Sequence, residues 1–176
     1  PYPHGVIMLL APKPIFDSEN ITVAHYEHVD KYTWDMPLDL DPSGIPNYKS
    51  AYTSVIRYLI TLKDSSNTVI AASSELEKFI QWVLRVKKKH PFNCNELDLI
   101  EFFDFVKSPN PNWISEAARK RFITVNGERK ANPKWRPFSK PKGPNISPAS
   151  LRRAHSIVSL YFSFCLEQRF IKVNPM

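Results

Sequence analysis

Eleven lysines and arginines stand between residues 119 and 153 against the single acid Glu128, a local net charge of +10 in a chain whose total is +7. A polyanion is what such a concentration suits, because clustered cations raise the local potential and release the polyanion's counterions on contact. Within the stretch, Lys134, Arg136, Lys140 and Lys142 are candidates for phosphate contacts on the charge argument alone, interleaved with Trp135, Phe138 and several prolines. A solvated basic loop has the same composition, so charge leaves both readings open. The remainder of the chain is different: residues 1–50 carry a net −4, and residues 51–118 balance with eight charges of each sign.

Other chemistry is thinly represented. His25 and His28 flank Glu27 at a spacing that invites a metal, but no second ligand pair lies near them in sequence, so they read as a surface pair and no metal or cofactor is expected. Cys94 and Cys165 show no metal-ligand or redox spacing, and Cys165 falls on an apolar helix face, where a free buried thiol suits a reducing cytoplasm. Glu96, Asp98, Glu101 and Asp104 read as a solvated helix face. Glycine-rich phosphate loops, zinc spacings and nucleophile elbows are all missing, so no catalytic residue is assigned. Nor does any stretch approach the roughly 20 apolar residues of a membrane span.

The elements that would position the basic strip are legible from proline. Seven of the 16 prolines fall at or before Pro46 and seven more between Pro109 and Pro148, which leaves two long windows open to helices. Residues 48–63 place Ala51, Val55, Tyr58, Leu59 and Leu62 at helical spacing. Residues 64–67 (DSSN) then offer N-cap chemistry. The next helix, over residues 68–88, has Val69, Ala72, Leu76, Phe79, Ile80 and Val83 on one face; it ends in Lys87, Lys88 and Lys89, and His90-Pro91 stops it. Asn95 caps a third helix through Lys107, with Leu99, Phe102, Phe103 and Val106 inward. Residues 108–147 form a long basic insert holding one short helix at residues 115–122. Ser147-Pro148 opens a last helix to Gln168, with Leu151, Ala154, Val158, Tyr161, Phe162 and Cys165 on its apolar face. A second stripe, Arg152, Ser156, Ser159 and Ser163, is small and polar, a pattern that lets a backbone come close to phosphates. Residues 1–47 form an acidic, proline-rich arm with a short strand at residues 21–23 and an extended passage at 32–45. The chain thus divides into that arm and a helical domain over residues 48–176.

The segments 64–68 (DSSNT), 75–82 (ELEKFIQW) and 97–106 (LDLIEFFDFV) resemble the first two helices of the core-binding domain of phage-integrase-type tyrosine recombinases. Residues 147–176, with their closing helix, a Phe-Ile-Lys-Val passage and Asn174-Pro175, resemble the end of that domain, and Trp135-Arg136-Pro137-Phe138 is similar to relatives from mobile elements. The resemblance spans about residues 50–176. It implies an all-α fold, a four- to five-helix core-binding (SAM-like) bundle that here carries the insert and the arm. It also implies that the chain clamps double-stranded DNA at a recombination half-site, beside its own catalytic domain and neighbouring protomers. That catalytic domain uses a tyrosine nucleophile and a His-x-x-Arg pair; no histidine of this chain has Arg at the third position after it, so no chemistry is carried over and the chain by itself is not expected to be an enzyme. The contacts carried over are Thr68 at a helix start and Arg152, Arg153 and Ser156 in the closing helix. Two other classes stay open: a helical protein-interaction module docked through its acidic arm, and a small DNA-binding regulator, for which no short helix–turn–helix pair stands out.

Overall fold

The computed structural model of the protein describes residues 9–17, 45–141, 143 and 145–176. The strand expected at residues 21–23, most of the passage at 32–45, the His25–Glu27–His28 group and Lys142 lie outside the described residues. Four α-helices form where proline is absent from the helix interior: α1 (Tyr48–Thr61), α2 (Ser66–Arg85), α3 (Glu96–Lys107) and α4 (Pro148–Glu167). Their ends follow local chemistry. Asn95 and Asp98 exchange side-chain-to-backbone hydrogen bonds of 3.0 and 2.9 Å, a capping box that starts α3 and stabilises it by about 1 kcal/mol. Ser147 accepts the Ser150 N–H at 3.1 Å ahead of Pro148, the first residue of α4. At α2 the expected capping is different: the Ser65 hydroxyl bonds the Thr68 hydroxyl at 2.7 Å and caps no backbone N–H.

The central helix is α2. Its apolar face packs against α1, α3 and α4 through contacts such as Phe79 with Phe102 and Phe162, at ring separations of 5.2 and 5.5 Å. Edge-on aromatic pairs of this kind add about 1 kcal/mol each beyond the area they bury. Glu75, Glu77, Gln81 and Arg85 are buried too, so α2 is enclosed on nearly every side over its second half. Asp98, read from sequence as part of a solvated face, is also buried and receives Lys87 and Lys89 at 3.2 and 2.7 Å.

The insert corrects the all-α expectation. Two small sheets join the four helices, so the fold is mainly helical but not purely so. Strand β1 (Ile114–Ser115) pairs in parallel with β4 (Phe138–Ser139), while β2 (Phe122–Val125) and β3 (Glu128–Ala131) make an antiparallel hairpin. Asn126 and Gly127, both at positive φ (51° and 81°), form its two-residue turn, the geometry that matches strand twist and favours Asn-Gly. The short helix expected over residues 115–122 is absent. Ser115 is held by the β1–β4 ladder and Phe122 by the hairpin, and the few residues between are too short a run to nucleate a helix alone. The insert is anchored to the bundle by Trp113, fully buried, and by Phe138, whose rings lie 5.2 and 6.0 Å from Phe105.

Residues 9–17 run across this assembly and close it. Leu9 and Leu10 carbonyls accept from Asn112 Nδ2 and Trp113 Nε1 at 3.0 and 3.1 Å. Further along, the Ile15 and Phe16 N–H groups donate to the two oxygens of Glu77 at 2.8 and 2.9 Å. Gln81 Nε2 bridges Glu77 Oε1 and the Lys13 carbonyl at 2.7 and 2.6 Å, and Arg85 Nε donates to Gln81 Oε1 at 2.6 Å. Phe16, fully buried, stacks on Tyr52 at 5.4 Å, and enclosing such a side chain stabilises by roughly 1.5–3 kcal/mol. At the end of the segment Asp17 takes a bidentate grip from Arg129 of β3, at 2.8 and 2.9 Å. Burial pushes the Glu77 carboxyl above the usual carboxylate range, although Arg121, the Phe16 and Ile15 amides and Gln81 all favour its charged form.

A second buried polar joint sits at His90. Its Nδ1 accepts the Phe92 N–H at 3.1 Å, which leaves the proton on Nε2 to donate to Ser50 Oγ at 2.8 Å. Burial depresses its pKa below the ordinary 6.5, against a smaller opposing effect from the Asn47 backbone.

Two outcomes follow. Glu77→Ala strands two buried backbone N–H groups and removes the counter-charge facing Arg121, so urea unfolding should show a loss of roughly 3–5 kcal/mol. For His90, the unfolded chain takes up a proton at a higher pH than the folded one. Stability is therefore complete above pH 6.5 and declines as pH falls through 6.5 toward the lower folded value. His90→Gln should flatten that part of the profile, as measured by the unfolding midpoint between about pH 7 and 5.5.

Candidate nucleic-acid interface

The basic strip folds as two separate surfaces. One is the outer side of α4. Its inner side is closed by Ala154, Val158, Tyr161, Phe162 and Cys165, all buried, and the 3.6-residue repeat therefore turns Arg152 and Ser156 outward. Both are exposed, and Arg152 makes no ion pair with any described residue. Ser159 and Ser163 continue the stripe as half-buried residues, interrupted by Leu160, which is 58% exposed.

Arg153 points differently from its neighbour. Its Nη2 lies 2.9 Å from Glu75 Oε1, and Lys78 Nζ lies 2.9 Å from the other oxygen of the same carboxylate. Lys78 in turn sits 5.3 Å from the centre of the Phe138 ring. This chain of contacts brings the start of α4 beside α2 and beside β4, which Lys140 directly follows. Thr68 is exposed in the first turn of α2 and lies seven residues before Glu75, so it stands on the same face about 10.5 Å away. No acid occupies the first turn of either α2 or α4, and their unsatisfied N–H groups give both ends partial positive charge.

The second surface is the insert. Lys134 is exposed, with no ion pair to a described residue. Arg136 turns back on its own backbone, donating from Nη1 to the Pro133 and Trp135 carbonyls at 2.9 and 2.6 Å. Lys140 is exposed and lies 3.2 Å from Glu116, a solvent-bathed pair of the kind worth at most about 1 kcal/mol and readily exchanged for phosphate. Among the described residues no hydrogen bond or ion pair joins Lys134 or Arg136 to α4. The sequence-derived candidates are thus gathered in part: Arg152, Arg153 and Ser156 share the first half of α4, where Arg153 reaches Glu75 of α2, while Thr68 lies two turns before Glu75 and Lys134, Arg136 and Lys140 stand on the insert.

Internal acids take up other cations of the strip. Arg129 is held by Asp17, Lys130 by Glu128 at 2.7 Å, and Arg121 lies close enough to Glu77 to favour its charge. The hairpin that carries these residues has a visible sequence signal, Asn126-Gly127 between two four-residue runs, which marks a tight turn. The Asp17–Arg129 pairing has none, since the two lie 112 residues apart in the chain.

No cluster of three or more His, Cys, Asp or Glu among the described residues could hold a metal ion. Burial pushes the thiols of Cys94 and Cys165 up to about 12, so neither is a thiolate at neutral pH. No helix among the described residues is long and apolar enough to cross a membrane. Compared with protein-family models, with curated proteins and with solved structures, the chain matches none.

Proposed function

We propose that the chain is a DNA-binding module, the part of a site-specific tyrosine recombinase that grips the duplex at a recombination half-site, with the cleaving and rejoining residues in a separate catalytic domain. One observation carries the DNA-binding reading: nearly all the excess positive charge lies in residues 119–153, and there Arg119, Lys134 and Arg152 stand exposed with no ion pair to a described residue. Cations that no described residue neutralises suit phosphate contacts, since the affinity arises from counterions released as they meet the duplex. The recombinase assignment is supported by the sequence resemblance over residues 50–176 and by the order of the four helices. Arg152 and Ser156 would position the backbone, and Thr68 would present the start of α2 to a phosphate.

A second reading, a protein-interaction module, draws on Leu97 and Ile100. They lie one turn apart on α3 and are 67% and 51% exposed.

The two readings separate in one binding experiment. Affinity for a duplex should fall linearly with the logarithm of salt concentration. Arg152→Gln should lower it about fivefold near 0.15 M salt and reduce the salt slope by about one. Unchanged affinity and slope in that variant contradict the assignment of Arg152. Self-association of the chain without duplex binding favours the interaction module.

A further inference from the structure

We propose that Glu75, Lys78 and Arg153 form a charge triad in which the enclosed Lys78 cancels Glu75, so that Arg153 offers an undiminished positive charge to a nucleic-acid phosphate; this rests on the DNA-binding reading above. The Glu75 carboxylate is 3% exposed and holds one cation on each oxygen, Lys78 and Arg153, both at 2.9 Å. The two cations differ in their surroundings. The Lys78 side chain is 15% exposed and lies against Phe138, whereas that of Arg153 is 56% exposed.

Three consequences follow from this geometry. First, Lys78 is three residues after Glu75 on one helix face, so their pairing is local and persistent. Second, two cations on one anion leave a net charge of +1, and it resides on the member that reaches water. Third, the observed bond uses one terminal nitrogen of Arg153, and a guanidinium has five N–H donors in a fixed fork, so donors remain for a second oxyanion. Had Glu75 faced Arg153 alone, the pair would be neutral, and a phosphate would have to compete with an enclosed carboxylate. Lys78 is thus a positioning residue: it sets the charge of the contact and does not itself make it. The absence of acids in the first turn of α4 and the exposed Arg152 next in sequence keep the surroundings of Arg153 positive.

The test measures binding of a duplex of about 20 base pairs near 0.15 M salt, with the salt slope, for the intact chain and three variants. Lys78→Met keeps the apolar stem against Phe138 and removes the charge that balances Glu75. It should lower affinity about fivefold and the salt slope by about one, the signature of one lost phosphate contact. Adding Glu75→Gln to Lys78→Met should restore both values, although the double variant has no net change in charge. Glu75→Gln alone keeps both cations and should bind at least as tightly as the unaltered chain. Unaltered affinity in Lys78→Met, failure of the double variant to recover, or weaker binding by a folded Glu75→Gln each overturns the triad. An unaltered chain that binds no duplex contradicts the DNA reading instead. The triad is then read with inorganic pyrophosphate, following the Arg153 side-chain N–H resonance. A shift that disappears in Lys78→Met supports it, and a resonance that does not move in the unaltered chain overturns it.

Discussion

Glu77 carries its carboxylate in the middle of the molecule, with no exposed surface, and the way that group is satisfied governs the arrangement of the rest. A charge removed from water is tolerated where hydrogen bonds and an opposite charge replace its hydration. Here the replacements come from three directions: two backbone amides of residues 9–17, the Gln81 amide one turn along α2, and the nearby Arg121 from the insert. Each donor is useful only if its segment is in place. The arm, the central helix and the insert are therefore coupled through one side chain, and the apolar contacts of Phe16 and Trp113 consolidate a geometry that the polar joint specifies. Burial still raises the Glu77 pKa, so the joint specifies position more than it adds stability.

That coupling also shapes the charged surface. A free loop of 40 residues with nine lysines and arginines against two acids would move independently of the bundle, and ordering it on a ligand would weaken binding. Folding the insert into a hairpin and a β1–β4 ladder fixes its backbone instead. The internal acids divide the cations into two groups. Arg129, beside Asp17, helps to hold the insert down, while Lys134 and Arg152 face outward. A basic strip that reads as one feature in the sequence is thus partly structural fastening and partly surface.

Helices α1 to α4 were legible within two or three residues because proline marks their limits and their inward faces repeat every 3.6 residues. The capping box at Asn95 and the Ser147-Pro148 start were equally local signals. The hairpin had a local signal too, but the helix-forming run Glu116-Ala117-Ala118 beside it points the other way. Pairing of Ser115 with the strand at Phe138–Ser139, a contact across 24 residues, overrides that preference. Burial of Glu75 and Glu77 had no local signal at all. On a helix, a glutamate facing solvent and one facing a crossing segment look alike until the crossing segment is known. The same limit hid the roles of Arg129 and Arg153, whose acids lie 112 and 78 residues away. The acidic composition of residues 1–47 likewise concealed Ile15 and Phe16, both buried and Phe16 fully so.

The most direct check on this account is amide hydrogen exchange at Ile15 and Phe16 in the intact chain at neutral pH. If Glu77 binds the arm into the body that carries the basic surface, those two amides exchange as slowly as the amides in the middle of α2, through the same global opening. Exchange at the rate of an unfolded segment, with α2 still protected, would show that the arm is not fastened and would contradict the account.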